Sequence, residues 1–327
     1  MRDRFIRLDN NENAYSISKN IIKEIENYDM HNLRYCSNEY PYNLDKNIAE
    51  YFNLSVDTII SVSSLYEAFY SIINSFSYKK ILIYKPYNDI YNYLIKNNSL
   101  NINIIEPNDD YTININHNIK NSINFITNPN SETSMYIDLD VLEYVISKNK
   151  NSLFVIDESY IDLPNNYTIN LINKYKNVII IHSLMTYHSI SSINVYFIIS
   201  NNDNIKQLSI LRQKYSISTL YESIIISSLK DKKKYYNNAV RTILERDRVE
   251  EILLKEGFIV FPSRSNFLLI RHLNKTSNEI YNKLKEKNIL VKCYEDDDIL
   301  KDFIRVSTSD RKINNIFINE IKNIIRQ

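Results

Sequence analysis

An acidic residue at the end of an apolar run is the sharpest local sign of chemistry in this sequence. The run Phe154-Val155-Ile156 leads directly into Asp157, and Tyr160 follows three residues later. An aspartate at the end of a buried strand is often structural, because its side chain caps the turn that follows. The same carboxylate could instead bind a ligand, so the residues around it have to decide between the two roles.

Two histidines, His182 and His188, follow the next apolar run of the sequence. Histidine titrates near neutral pH, so either side chain could act as the base that moves a proton. A single histidine near a strand end is more often a hydrogen-bonded structural residue. Both interpretations stay open from the sequence, and no metal site is expected.

Short apolar runs alternate with helical patterns over the first two thirds of the chain. Runs that are apolar at nearly every position predict strands buried on both faces, as in a parallel sheet covered by helices. The predicted strands are residues 80–84, 102–105, 123–127, 153–156, 178–181 and 195–199, and the helices among them are 66–76, 88–96, 139–148 and 170–175. We therefore predict an α/β fold with a doubly wound, mostly parallel sheet and ligands at the carboxyl ends of its strands.

The pattern changes from about Ile205 onwards. Helical patterns at 220–229 and 231–256 are followed by strand, helix, strand and helix, which is typical of an α+β domain. Gly257, the single glycine of the chain, stands where the second of these helices should end. We predict a large α/β domain over residues 30–235 and a smaller α+β domain made of residues 1–29 and 236–327.

Composition and charge argue against several kinds of partner. The 327 residues carry a net charge of +1, so no basic field attracts nucleic acid or an anionic membrane. The N-terminus enters no apolar run and no stretch is long enough to span a bilayer, so a cytoplasmic protein is expected. With one glycine in the chain, a glycine-dependent phosphate loop is not expected either.

Short motifs, taken in order along the chain, resemble the class I/II aminotransferases, and most closely the histidinol-phosphate aminotransferase type. Residues 8–15 resemble L-D-x-N-E-N-P-Y, residues 64–68 stand where that family has G-S-D-E-A, and residues 128–134 are close to N-P-N-N-P-T-G. Further matches are residues 33–35, 44, 49–52, 86–91, 265–267 and 304–306. The resemblance covers nearly the whole chain, and it implies the fold of that family, which binds pyridoxal phosphate.

The resemblance also implies roles for individual residues around the cofactor ring. Asp157 would pair with the protonated pyridine nitrogen, Tyr160 would hydrogen-bond the ring oxygen, and Tyr91 would stack on the ring face. Ser64 and Leu65, at the start of a helix, would offer backbone N–H groups to the cofactor phosphate.

Three further residues are implied to contact the substrate or the neighbouring subunit. Arg305 would bind the substrate carboxylate in a bidentate pair, and Asn13 is a second candidate for substrate binding. Tyr35 would reach the phosphate bound in the neighbouring subunit, which implies a homodimer.

The sequence departs from the family where the cofactor should be held. The family pattern R-T-F-S-K-A-Y-G, aligned without gaps from His182, places Thr186 at the position of the lysine that forms the Schiff base. No lysine occurs from residue 177 to residue 205. Asn194 stands where the family has a phosphate-clamping arginine, and Ser131 replaces the asparagine that should touch the ring oxygen.

Ordinary transamination is therefore not expected, because a threonine hydroxyl forms no imine and has no useful pKa. The favoured interpretation is a pseudoenzyme that binds a small amino-acid-like ligand or a protein partner, with pyridoxal or pyridoxamine phosphate held non-covalently or not at all. The alternative is an enzyme that acts on an amino or keto acid with a non-covalently held cofactor and His182 or His188 as base. An atypical transaminase is the third interpretation.

Overall fold

The computed structural model describes residues 5–97, 101–115, 119–160, 168–295 and 297–327. Its strands are β1 (Ile6–Leu8), β2 (Ile59–Val62), β3 (Lys80–Tyr84), β4 (Ile102–Ile105), β5 (Ser122–Thr127), β6 (Leu153–Asp157), β7 (Val178–His182), β8 (Tyr196–Ser200), β9 (Phe258–Val260), β10 (Phe267–His272), β11 (Ile289–Cys293) and β12 (Ile304–Ser307). Within these residues they form one sheet of seven strands and one of five.

The α-helices are α1 (Lys19–Asn27), α2 (Tyr42–Phe52), α3 (Leu65–Ser75), α4 (Asp89–Asn97), α5 (Leu139–Lys148), α6 (Leu171–Lys174), α7 (Asn202–Ser209), α8 (Thr219–Ser228), α9 (Lys232–Lys255), α10 (Ser277–Glu286) and α11 (Arg311–Ile325). Short 3₁₀ helices lie at Met30–Arg34, Val56–Thr58 and Leu229–Asp231.

The larger sheet has the strand order β2-β8-β7-β6-β5-β3-β4. Strands β3 to β7 run parallel to one another, and β8 runs antiparallel to both of its neighbours. The six strands that the apolar runs predict are confirmed, with ends that shift by at most one residue. Strand β2 was not predicted, and it forms the edge of the sheet next to β8.

Apart from its edge strand β4, the larger sheet is buried on both faces, which explains why its strands are apolar at nearly every position. Alternate residues of a strand point to opposite faces. In β7, Ile179 and Ile181 pack into one hydrophobic cluster while Val178 and Ile180 pack into the other. This alternation fixes the face of the sheet on which each candidate site residue lies.

The smaller sheet combines the N-terminal strand with strands from the last third of the chain. Its order is β1-β11-β12-β10-β9, and β1 pairs in parallel with β11. Helix α9, which is 24 residues long, leads into it from the larger sheet. Gly257 follows that helix with a φ of +84°, so the sequence-based placement of a helix-ending glycine is confirmed.

Eight non-glycine residues among those described have a positive φ, which is the backbone conformation that favours glycine. Two of them, Ser134 (φ 63°) and Ser189 (φ 60°), stand at positions where the family patterns quoted above have glycine. The turns have therefore kept their left-handed geometry although the glycines are gone.

Within the described residues, no helix combines the length and the apolar character needed to cross a bilayer. The cysteines Cys36 and Cys293 are both free, the first exposed and the second partly buried.

Candidate functional site

Asp157 is the last residue of β6 and lies at the carboxyl end of the larger sheet. Its Oδ1 accepts hydrogen bonds from the backbone N–H (3.0 Å) and the hydroxyl of Ser159. Its Oδ2 accepts a hydrogen bond from the hydroxyl of Tyr91 at 3.3 Å. Burial raises the pKa of this carboxyl, and the hydrogen bonds from Ser159 and Tyr91 offset only part of that rise. Both oxygens of Asp157 thus have partners within the chain.

Tyr91 lies in α4 and is only 1% exposed. Its ring packs edge-on against Phe69, with the centroids 5.1 Å apart, inside the hydrophobic cluster that covers this face of the sheet. The resemblance implies a tyrosine that stacks on a cofactor ring. The structure instead directs its hydroxyl to Asp157, the carboxylate that should receive that ring's nitrogen.

Arg305, in β12, is 7% exposed and is bound by groups of the same chain. Its Nη1 donates to Oε2 of Glu132 at 2.7 Å and to the carbonyl of Ser131 at 2.9 Å. Its Nη2 donates to the carbonyl of Asp9 at 3.1 Å. A buried guanidinium needs a counter-charge, and Glu132 supplies it.

Glu132 is a residue of this site that the sequence motifs did not single out. Its Oε2 also accepts a hydrogen bond from the hydroxyl of Tyr294 at 2.5 Å. The sequence does mark this residue as unusual, since the family pattern N-P-N-N-P-T-G has proline where this chain has Glu132. A carboxylate in place of a proline adds a charge that has to be paired.

Tyr160 is half-buried and lies near the carboxylates of Asp157 and Glu132. Burial raises the pKa of its phenol to about 12, with smaller effects from Arg305, which lowers it, and from Glu132 and Asp157, which raise it. Its ring meets Phe267 edge-on, and the guanidinium of Arg305 lies 5.3 Å from the centroid of the same Phe267 ring. Arg305 and Glu132 form an ion pair, and the charges of this pair and of Asp157 act on the phenol of Tyr160.

Thr186 lies in the segment after β7 and is partly exposed. Its carbonyl accepts a hydrogen bond from Nδ2 of Asn13 at 2.9 Å, and the carbonyl of Tyr187 accepts a second one at 3.4 Å. The Oδ1 of Asn13 accepts from the backbone of Tyr15. Asn13, a candidate for substrate binding, therefore fixes the N-terminal segment to the turn that carries position 186.

His182 lies on the face of the sheet opposite Asp157. It alternates with Ile181, which packs on the same face as Tyr91, and its ring meets Phe52 edge-on at 5.0 Å in the other cluster. Burial lowers its pKa to about 4, so the ring is neutral at pH 7. The expectation of His182 as a base beside Asp157 does not agree with this placement.

His188 is fully buried in the same cluster as Phe52. Its Nδ1 shares a 2.7 Å hydrogen bond with the hydroxyl of Ser228, and its ring stacks on Tyr235 with the centroids 4.1 Å apart. Burial, with a smaller effect of His182, lowers its pKa to about 3. Its partners are those of a structural histidine, so the expected base is not found here either.

The predicted phosphate-binding residues do come together. Ser64, Leu65 and Asn194 line a cavity of about 480 Å³ with Tyr66, Asp89, Ile90 and Tyr93. Ser64 caps α3, because its hydroxyl accepts the backbone N–H of Glu67 at 3.0 Å. The single charged residue among these seven is Asp89, and it pairs with Lys292 at 3.6 Å.

Ser131 and Tyr35 complete the set of predicted site residues. The hydroxyl of Ser131 is buried and has no hydrogen-bond partner among the described residues, whereas its carbonyl binds Arg305. Tyr35 follows the first 3₁₀ helix, is 60% exposed, and lies against the side chain of Arg34, which donates to its hydroxyl. Among the described residues, no group of three or more His, Cys, Asp and Glu is arranged to hold a metal ion.

Comparison with known proteins agrees with the fold and with the order of these motifs. The family model for class I and II aminotransferases matches residues 3–321, and the chain belongs to that family. A relative from Brachyspira hyodysenteriae, a histidinol-phosphate aminotransferase, is 31% identical and is aligned over 98% of this chain and 93% of its own length.

Two solved structures share the fold. The histidinol-phosphate aminotransferase of Clostridium acetobutylicum superposes with a TM-score of 0.87 at 22% identity, over 98% of this chain and 99% of that one. The histidinol-phosphate aminotransferase of Sinorhizobium meliloti, solved in complex with pyridoxal-5′-phosphate, gives a TM-score of 0.84 at 14% identity, over 98% of this chain and 90% of that one.

The residues at the site do not fit a covalently held pyridoxal phosphate. Position 186 offers a hydroxyl in place of an amine. Asp157 already accepts hydrogen bonds from Ser159 and Tyr91, so a pyridine nitrogen would share the carboxylate with these donors. The cavity beside Ser64 contains no lysine or arginine among its described lining residues, so a phosphate would lack a counter-charge there.

Proposed function

We propose that this chain is a member of the aminotransferase family that no longer transaminates and that works as a non-catalytic binding or partner subunit. The observation that carries the proposal is Thr186, which offers a hydroxyl at the position where a Schiff base needs an amine. The carboxylate of Asp157, which should hold the cofactor ring, also accepts hydrogen bonds from Tyr91 and Ser159.

At position 186 the chain lacks the functional group that the reaction needs. A Schiff base needs a primary amine, and a threonine hydroxyl cannot replace it. No lysine stands within nine residues on either side of Thr186. The two histidines that could have replaced the lysine as base are neutral and buried in the cluster on the opposite face of the sheet. Their placement supports a non-catalytic role.

Non-covalent binding of pyridoxamine phosphate or an amino-acid-like ligand is the second candidate. The cavity that brings Ser64, Leu65 and Asn194 together favours it, because backbone N–H groups at the start of α3 suit an anion. The loss of the arginine at position 194 weighs against it, since a charge-assisted bond contributes about 1.5–3 kcal/mol.

A second copy of this chain is the partner that we propose first. Met30, Leu33 and Tyr35 expose more than half of their side chains on one short segment. Apolar groups exposed this close together are typical of a protein interface. The family resemblance, which implies a homodimer with Tyr35 at the subunit boundary, points to the same segment.

The test of lost transamination is to mix the purified protein with pyridoxal phosphate, record the visible spectrum, reduce with borohydride and identify any modified lysine by peptide mass spectrometry. We expect no stoichiometric adduct on a single lysine, because the chain has none from residue 177 to residue 205. One lysine modified in full would contradict the proposal.

The matched variant for this test is Thr186→Lys, which returns an amine to the position. A full adduct at residue 186 would show that the missing amine is the main barrier. Calorimetric titration of the wild type with pyridoxamine phosphate tests the second candidate. Saturable binding that Asp157→Asn abolishes would favour non-covalent cofactor binding over a purely structural role.

A further inference from the structure

The carboxylate of Glu132 forms an ion pair with Arg305, the buried arginine of the candidate site. Oε2 of Glu132 accepts hydrogen bonds from Arg305 (2.7 Å) and from Tyr294 (2.5 Å), and the side chains of Arg305 and Glu132 are 9% and 7% exposed. This contact links residues 173 positions apart in the sequence, so it is a feature of the folded site and not of a local turn.

We propose that Glu132 is a built-in counter-ion that keeps external carboxylates and other oxoanions away from Arg305. A ligand of this site would then place no carboxylate on Arg305. This inference concerns the site of the proposed function, but it does not depend on whether the chain transaminates.

The first argument is the energetic need of a buried guanidinium. A charge removed from water is stable in a protein only when an opposite charge and hydrogen bonds replace the water. Arg305 has one carboxylate and two backbone carbonyls, from Ser131 and Asp9. The carbonyls satisfy N–H groups but carry no net charge, so Glu132 is the partner that balances the charge.

The second argument is preorganisation. Glu132 is held by its backbone, whose N–H donates to Oδ1 of Asn130 at 3.0 Å, and by the hydroxyl of Tyr294 on its carboxylate. A group already fixed beside its partner competes at an effective concentration far above the millimolar range of free ligands. A free carboxylate would therefore not displace Glu132 from Arg305.

The third argument is that Arg305 still has a hydrogen-bond donor available for an anion. Its Nε is buried and has no hydrogen-bond partner among the described residues. Removal of the Glu132 carboxylate would leave a positive group with an unused donor and a space of carboxylate size. An acetate ion from solution has the charge and the oxygens to fill that space.

The experiment measures acetate binding by Glu132→Ala and by the wild type. Thermal unfolding is followed against sodium acetate, with sodium chloride at equal ionic strength as the control, because a ligand that binds the folded state raises the unfolding temperature. We expect a saturable rise for Glu132→Ala and an acetate affinity at least about tenfold above that of the wild type. Equal responses of the two proteins would overturn the proposal.

Two further variants keep the result interpretable. In Glu132→Ala with Arg305→Gln the acetate response should disappear, and its survival would place the acetate elsewhere. Tyr294→Phe removes only the hydroxyl that holds Glu132 and is the milder change if the Glu132 variant does not fold. It should respond to acetate to an intermediate degree, and a wild-type-like response would count against the proposal.

The borohydride test and the acetate test can fail separately. A lysine adduct in the wild type would remove the proposed loss of transamination and leave the role of Glu132 intact. An unresponsive Glu132→Ala would remove the role of Glu132 and leave the argument from Thr186 intact.

Discussion

His182 shows at the scale of one residue how burial creates a dependence on pH. Its folded-state pKa is about 4, and its Nδ1 has no hydrogen-bond partner among the described residues. In an unfolded chain the pKa returns to about 6.5. As the pH falls between these values, the unfolded chain takes up a proton that the folded chain refuses, so the folded state loses stability.

We therefore predict that His182→Leu gains stability over the wild type as the medium becomes more acidic. The relative gain should be about 1.4 kcal/mol for each pH unit between about 6.5 and 4. At neutral pH the change should be small, because leucine suits the contact with Phe52 and removes an unpaired nitrogen. Urea unfolding at about pH 7.5 and about pH 5.5 measures both values.

The variant has to be compared with the wild type at each pH, because a second buried group, Glu158, changes the stability with pH in the opposite direction. Burial raises the pKa of Glu158 to about 8, so its contribution to stability grows as the pH falls through that value. Glu158 is present in both proteins and cancels in the comparison. His272→Leu, at a partly exposed position of the smaller sheet and away from the segment around Leu33, is the control and should show no gain on acidification; an equal gain there would refute the explanation.

The sequence could predict the members of the site better than their partners. Asp157, Tyr160 and Arg305 can be found because each belongs to a short motif. Glu132 was missed because its partner Arg305 is distant in the chain, and only folding brings a charge and its counter-charge together. The faces of His182 and His188 depend on strand alternation and on neighbouring helices, which one sequence does not provide.

At the scale of single elements, the turn after β7 keeps a backbone shape that its sequence no longer suits. Ser189 has a φ of 60°, and its buried hydroxyl has no hydrogen-bond partner among the described residues. A residue with a Cβ is disfavoured in this conformation by about 1–2 kcal/mol, while glycine loses more entropy on folding. Part of the strain should therefore be recoverable.

We predict that Ser189→Gly stabilises the protein by about 1 kcal/mol, as measured by urea unfolding. Ser223→Gly, in the middle of helix α8, is the matched control and should destabilise by about 0.5–1 kcal/mol, because glycine is unfavourable in a helix. A loss of stability in both variants would show that the turn is not strained.

The elements of the larger sheet were predictable because burial on both faces leaves a continuous apolar run. Strand ends differ by at most one residue from the prediction, as at β5 (Ser122–Thr127) and β6 (Leu153–Asp157). Strand direction was less accessible. The antiparallel pairing of β8 follows from the connection after β7, and the apolar run itself is the same for either direction.

At the scale of the whole molecule, the exposed segment around Leu33 bears on assembly. We predict that the wild type is a homodimer and that Leu33→Asp shifts it towards the monomer, because a charge in an apolar interface has to be desolvated. Size-exclusion chromatography with light scattering gives the mass of each. Leu273→Asp, at a similarly exposed leucine directly after β10 (68% against 59%), should leave the dimer unchanged.

A monomeric wild type would contradict the predicted interface at the segment around Leu33. If Leu273→Asp also produced a monomer, the effect of Leu33→Asp would not be specific to that segment. The mass measurement also bears on the proposed function, since a subunit that acts through a partner needs a stable surface for it.

The left-handed residues also make this protein a natural starting point for stepwise stabilisation. Ser134 and Ser189 belong to separate turns, one before β6 and one after β7, and the hydroxyl of Ser134 shares a hydrogen bond with that of Ser263. Effects at independent positions usually add. A change to glycine should return more stability at Ser189 than at Ser134, because the hydroxyl of Ser134 is bonded to Ser263 and accepts the backbone N–H of Arg264. The two changes together would measure how much backbone strain this fold contains.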